Sequence, residues 1–279
     1  MPLSINTNIA SMTAQRSFYN SNQALETAFE RLSTGKRINS AVDDAAGLAI
    51  GKDLESRVSG LNQAVRNVND GISMVQIMEG AYDEVTTILQ RMRDLSVQAA
   101  NESLTSTERT YLDNETTKLA TAIDSVMDQA KFVNKDLVDI SNAATSVVIH
   151  SGADASDKVT ITLSTANSDD ADGMGVDADD ITLGTTAGAT SSIGHIDDAL
   201  GQIASQRASL GAQQSQLEST VRNLANVAEN TAAAAGRVMD TDYAAETANL
   251  TKAQILQQAA TSILAQANAQ PQAVLSLLQ

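Results

Sequence analysis

The chain has 279 residues, a formal net charge of −16, no Cys, no Trp, three Phe and four Tyr. That balance offers no basic footprint for nucleic acid or for an anionic membrane surface, and the missing thiols exclude a disulfide scaffold and thiolate metal sites. Scarce aromatics fit a compact single-core enzyme poorly, so packing must come from Leu, Ile, Val, Met and Ala on helix faces, as in long bundles and coiled coils.

The first stretch, residues 5 to 32, carries Ile5, Ile9, Met12, Tyr19, Leu25, Phe29 and Leu32. It reads as a helix that needs a partner. In "RLSTGKRINSAVDDAAGLAI", residues 31 to 50, that helix stops at Gly35, which can take the left-handed conformation, with Lys36 and Arg37 beside the negative helix end. Ser40 and Asp43 have the spacing of a capping box for the next helix, and Asp43 and Asp44 complement its positive end.

Two neighbouring seams follow. One runs through Val58, Leu61, Val65, Val68, Ile72, Val75, Tyr82 and Leu89, broken at Glu79 and Thr86; the other runs through Met74, Met78, Ala81, Val85, Ile88, Met92, Leu95 and Ala99. Two seams on one helix predict two partner helices. A third helix is predicted from the capping box Thr105 to Glu108 through Leu112, Leu119, Ile123 and Val126.

Residues 141 to 195 hold eight Asp, one Lys and no Glu or Arg. "SVVIH" and "KVTITL" flank the turn-rich "SGADASD" and predict a small hairpin, and "ANSDDADGMGVDADD" predicts an exposed acidic loop. Within it Ser168, Asp170, Asp172 and Gly173 fit the early positions of a calcium loop, with Asp179 at the closing position where a bidentate Glu is wanted. The flanks are not helical and the closing ligand is short, so a solvated loop fits the stretch better than a metal site.

Heptads return at Ile196, Ile203, Leu210, Leu217, Leu224, Thr231 and Val238, with Leu200, Val221, Ala228 and Ala235 in the alternate position. Arg207, Gly211 and Gln214 interrupt this seam and predict weaker packing there. The last helical pattern carries Leu250, Leu256, Ala260, Ile263 and Ala267 before Pro271, and the chain stays apolar through Leu264, Leu275 and Leu278. The fold class expected is mainly α: a long antiparallel helical bundle or coiled coil built by the N- and C-terminal halves, with a small β-hairpin and an acidic loop in the middle. The expected domains are 1–40 with 241–279, 41–140 with 196–240, and 141–195.

Catalytic signatures are absent from the sequence: no H-E-x-x-H, no G-x-S-x-G, no P-loop and no Cys nucleophile. No cofactor is expected. There is also no charged-then-apolar leader and no unbroken apolar stretch of spanning length, which predicts neither a Sec-type signal nor membrane insertion.

The stretch 31 to 50 resembles the N-terminal signature of bacterial flagellins, and the resemblance covers nearly the whole chain. "INTNIASMTAQR", "QRMRDLSVQAAN", "RASLGAQQSQLES", "DTDYAAETANLTKAQILQQA" and "LAQANAQPQAVLSLL" all match family motifs in family order. The resemblance implies a secreted subunit that self-assembles into the extracellular flagellar filament, with an inner domain of paired terminal helices and without large outer domains. Subunit packing is then expected at Ile5, Ile9, Leu32, Leu256, Ile263, Leu264, Leu275 and Leu278. The partners it implies are other copies of the chain, hook-filament junction proteins, the filament cap, an export chaperone and the export apparatus. In flagellins recognised by the vertebrate Toll-like receptor for flagellin, the contact motif matches Gln90, Arg91, Leu95 and Glu115. Alternative readings are a hook-filament junction-type subunit and a secreted binding protein that uses the acidic segment. The chain departs from the family at Gln214 and Ser215, at Met239 in "GRVMD", and at "KFVNKD", which lacks the usual glycine.

Overall fold

The structure, a computed structural model, describes residues 7–133, 135–137, 146–154, 156–162 and 181–277, without the side chains of Asp136 and of 270–277. In chain order its elements are α1 (Ile9–Thr34), α2 (Ala45–Ala99), α3 (Ser106–Gln129), β1 (Lys131–Phe132), β2 (Lys135–Asp136), β3 (Ser146–His150), β4 (Lys158–Thr162), α4 (Thr186–Met239) and α5 (Tyr243–Leu277). The chain falls into two units, one of Met1–Arg57 with Glu229–Gln279 and one of Val58–Ala228. Both divisions lie inside long helices, α2 and α4, so the first unit takes in residues 41–57 and 229–240 as well as the two termini.

The second unit is built on the seams. Leu61, Val68, Val75, Tyr82 and Leu89 of α2 pack with Ile196, Ile203, Leu210, Leu217 and Leu224 of α4 in one core, which α3 completes with Ala120, Ile123 and Met127. Arg93 pairs with Asp197, and Arg207 with Asp83, so α2 and α4 run antiparallel. The two interruptions of the heptads meet each other: Arg207 of α4 lies 3.9 Å from Glu79 and 3.0 Å from Asp83 of α2. An ion pair therefore occupies the layer where apolar residues lapse.

The hairpin forms where the alternation placed it. β3 and β4 pair antiparallel with Ser146 opposite Thr162 and His150 opposite Lys158. Val147, Ile149 and Ile161 turn inward to the core while Val148 faces out, as a strand period of two requires. Any Cβ at Gly71 of α2 would overlap Ile149 Cδ1, which explains a glycine in the middle of a helix. Two side chains fasten the hairpin ends to helices: Asn67 Nδ2 donates to the His150 carbonyl at 3.3 Å, and the Thr162 amide donates to Gln213 Oε1 at 3.0 Å. A second, minimal ladder, β1 with β2, sits at "KFVNKD". There Val133 takes φ 59°, the left-handed conformation that glycine would adopt at less steric cost.

One expectation is corrected. The capping box at Ser40 does not form: Asp43 Oδ2 instead accepts from the Asn39 and Ser40 amides and from the Ser40 hydroxyl, closing a turn ahead of α2. The cap is Asp44, whose Oδ1 accepts from Gly47 N at 2.9 Å. The acidic loop expected at "ANSDDADGMGVDADD" lies outside the described residues, and the residues that follow it return to the core. Ile181 and Leu183 are buried, Leu183 N donates to Asp113 Oδ1 at 2.6 Å, and α4 already begins at Thr186. Two apolar residues just after the acidic run find a core, and the helix that follows starts ten residues before the first heptad position. The capping box of α3 does form, with Thr105 N donating to Glu108 Oε2 at 2.8 Å.

Candidate assembly surface on the terminal helices

In the first unit α1 and α5 lie side by side. Asn8 meets Ala267, Asn22 meets Gln257, and Arg31 meets Glu246, so the pair is antiparallel. The residues that close this pair are small. Ser11, Ala14 and Ala28 are buried on α1, and Glu246, Ala253, Ala260 and Ala267 are buried on α5 at intervals of seven. Such a seam brings two helices close while hiding little apolar area, because an alanine has only one methyl to bury.

The large apolar residues stand outside it. Ile9 is 67% exposed, Ile263 57% and Leu256 48%, and Met12, Tyr19, Phe29 and Ile255 are exposed as well. A groove of about 590 Å³ runs between the helices, lined by Ile9, Ala14, Ser17, Leu256, Ala260 and Ile263 among others. The structure thus brings together three of the expected packing residues, Ile9, Leu256 and Ile263. Leu32 and Leu264 are half-buried. Ile5 and Leu278 lie outside the described residues, and Leu275 falls in α5 with its side chain outside them. The sequence pattern named Ala260 and Ala267 together with Leu256 and Ile263; it missed Ala253, and it did not separate the alanines that close the seam from the larger residues that stand outside it.

The joint below these helices is held by backbone as well as charge. Gly35 closes α1 at φ 71°, donating to the Arg31 carbonyl at 2.9 Å. Arg37 N then donates to the Met239 carbonyl and Thr241 N to the Gly35 carbonyl, so the α1–α2 and α4–α5 turns are stitched to each other. Glu55 is held down to a pKa of about 2, first by Lys36 Nζ donating at 2.6 Å and then by Lys52 Nζ at 2.8 Å. Met239 is buried, and a Cβ on Gly51 would run into its side chain.

The residues expected to meet an innate immune receptor sit on the second unit. Arg91 donates through Nε at 3.1 Å and Nη2 at 2.8 Å to Glu115 Oε1, and Gln90 is exposed on the same turn of α2. Leu95 is different: it is 2% exposed and packs with Ala99, Leu183 and Ala189. It anchors the end of α2 and offers no surface. Asp170, Asp172 and Asp179 lie outside the described residues; among the described ones no group of three or more His, Asp or Glu could hold a metal ion. None of the described helices is long and apolar enough to cross a membrane.

Comparison with known proteins bears on what such a surface is for. Residues 5–143 match the bacterial flagellin N-terminal helical region, and residues 193–278 match the bacterial flagellin C-terminal helical region. Among curated proteins the chain is 42% identical to a flagellin of Halalkalibacterium halodurans over 99% of both chains, and 34% identical to flagellin A of Vibrio anguillarum over 100% of both. Among solved structures it is similar to the crystal structure of Bacillus cereus flagellin, with a TM-score of 0.50 and 28% identity, over 61% of this chain and 94% of that one. A putative flagellar hook-associated protein from Vibrio parahaemolyticus shares the fold, with a TM-score of 0.60 and 17% identity, over 71% of this chain and 100% of that one.

Proposed function

The chain belongs to the bacterial flagellin family, and we propose that it joins its neighbours through the apolar faces that α1 and α5 leave outside their own seam. A flagellin is a structural protein and not an enzyme; it self-assembles into the homopolymeric filament of the extracellular flagellum that drives motility. One observation carries the contact reading: Ile9, Leu256 and Ile263 line a single groove and stay exposed. Solvated apolar area of that kind is what a polymer covers. Leu32 and Leu264, half-buried, complete the contact, with Ile5, Leu275 and Leu278 as further members from the ends of the chain.

The junction-subunit alternative is not favoured, because the hook-associated likeness stands at 17% identity while the flagellin likeness stands at 42% over 99% of the chain. The binding-protein alternative is not favoured for the same reason. Hook-filament junction proteins, the filament cap, an export chaperone and the export apparatus remain the partners proposed by family membership. The exposed Arg91–Glu115 pair with Gln90 supports a second contact, with the vertebrate Toll-like receptor for flagellin, from which buried Leu95 is left out.

Purified chain seeded with filament fragments tests the main reading. Long fibres by electron microscopy are the expected result. A stub that stops growing would return the junction reading, and no growth at all would overturn assembly.

A further inference from the structure

A proline inside a helix removes one donor, and the acceptor left without a partner is the carbonyl four residues earlier. In α5 the proline is Pro271, since the helix runs on to Leu277, and the carbonyl is that of Ala267. Ala267 is buried, so water is a poor substitute for the missing N–H. The donor comes from the other end of the sequence: Asn8 Nδ2 donates to the Ala267 carbonyl at 2.7 Å. The same side chain caps α1, its Oδ1 accepting from Ser11 N at 3.1 Å. One amide group thus accepts at one end and donates at the other, a pair of tasks that neither Ser nor Asp can perform at that reach. Beside it Ser11 Oγ donates to Asn268 Oδ1 at 2.8 Å, which fixes the two helices in the register Asn8 needs.

We propose that Asn8 is the positioning residue that carries α5 through Pro271, so that residues 272–277 are helical only where the start of α1 is docked against them. Order at the two ends of the chain is then a single event. Without α1, the proline ends the helix; with it, the orphaned carbonyl is satisfied and the apolar end of the chain is presented as one more turn and a half of helix. The inference rests on the assembly reading only in using the filament as the state in which the two helices are packed.

The test uses two substitutions that act on the same carbonyl from opposite sides. Asn8→Ser keeps a hydroxyl that caps α1 but cannot reach Ala267, and Pro271→Ala restores an N–H inside α5. Filaments of the full chain, of each single variant and of the double variant are compared by hydrogen exchange of the amides at 272–277. Asn8→Ser should speed that exchange about tenfold, and the double variant should return to the wild-type rate or slower. Unchanged exchange in Asn8→Ser overturns the proposal, and so does a double variant as fast as Asn8→Ser, because the defect would then have nothing to do with the proline. If Asn8→Ser does not polymerise, growth from wild-type seeds replaces exchange: growth regained in the double variant supports the proposal and growth still absent overturns it. Wild-type filaments that grow but leave 272–277 unprotected would sink this inference while leaving the assembly reading standing.

Discussion

Arg109 shows how much one side chain can hold. Its guanidinium is buried at the end of α2 and donates to three carbonyls, those of Ala99 at 2.9 Å, Leu104 at 2.9 Å and Asn101 at 2.7 Å. A helix end leaves the Ala99 carbonyl open, the Asn101 carbonyl also accepts from Leu104 N at 3.3 Å, and only a planar fork reaches all three. Arg109→Lys keeps the charge and loses the fork. It should lower the stability of the soluble chain by about 2–3 kcal/mol, read as a fall in the denaturant midpoint, because at least one carbonyl stays buried without a donor. No periodicity in the sequence marks Arg109, nor Asn8, nor Gln213: each works by reaching backbone atoms far from its own helix face. Gly35 and the Thr105–Glu108 box were legible because their partners lie within four residues. Ser40 and Asp43 misled for a related reason, since two residues at the right spacing can close a turn as easily as start a helix.

At the scale of elements the seams were the legible part. Their residues were found by sevens, and nearly all those of α4 from Ile196 to Leu224 are buried. Spacing does not say which lapse in one helix faces which lapse in another; that Arg207 meets Glu79 and Asp83 is set by the axial register in which α2 and α4 pack. The two kinds of layer should differ sharply in energy. Leu217 is 1% exposed in the core, and Leu217→Ala should cost about 2–5 kcal/mol through lost transfer and a cavity. Arg207→Met should change stability by less than about 1 kcal/mol, since the side chains of the ion pair are about a third or more exposed and screened by water. Thermal unfolding of both variants beside the wild type checks the pair. Equal losses would mean that the charged layer is as dry and as tightly packed as the apolar ones.

Across the whole molecule the apolar residues are spent unevenly, and that is the physical link to a filament. The second unit encloses Val68, Val75, Met78, Leu89, Met92 and Ile196 with no exposure at all, whereas α1 and α5 close mainly on alanine and serine and leave Ile9, Ile255, Leu256 and Ile263 outside. A soluble chain tolerates this because nothing in the fold depends on those outer side chains. Assembly depends on them, since association is a small surplus of burial over lost freedom. Ile263→Ala and Leu256→Ala should each raise the critical concentration for growth by about tenfold or more, the factor that follows from losing over 1.4 kcal/mol at every subunit. The melting temperature of the unassembled chain should hardly move, because Ile263 is 57% and Leu256 48% exposed there. Leu217→Ala supplies the opposite control: a lowered melting temperature, with any effect on growth following from the weakened subunit. If Ile263→Ala instead lowers the melting temperature and leaves the growth threshold unchanged, the α1–α5 face belongs to the chain's own core, and the surface through which this subunit polymerises must be sought on another part of it.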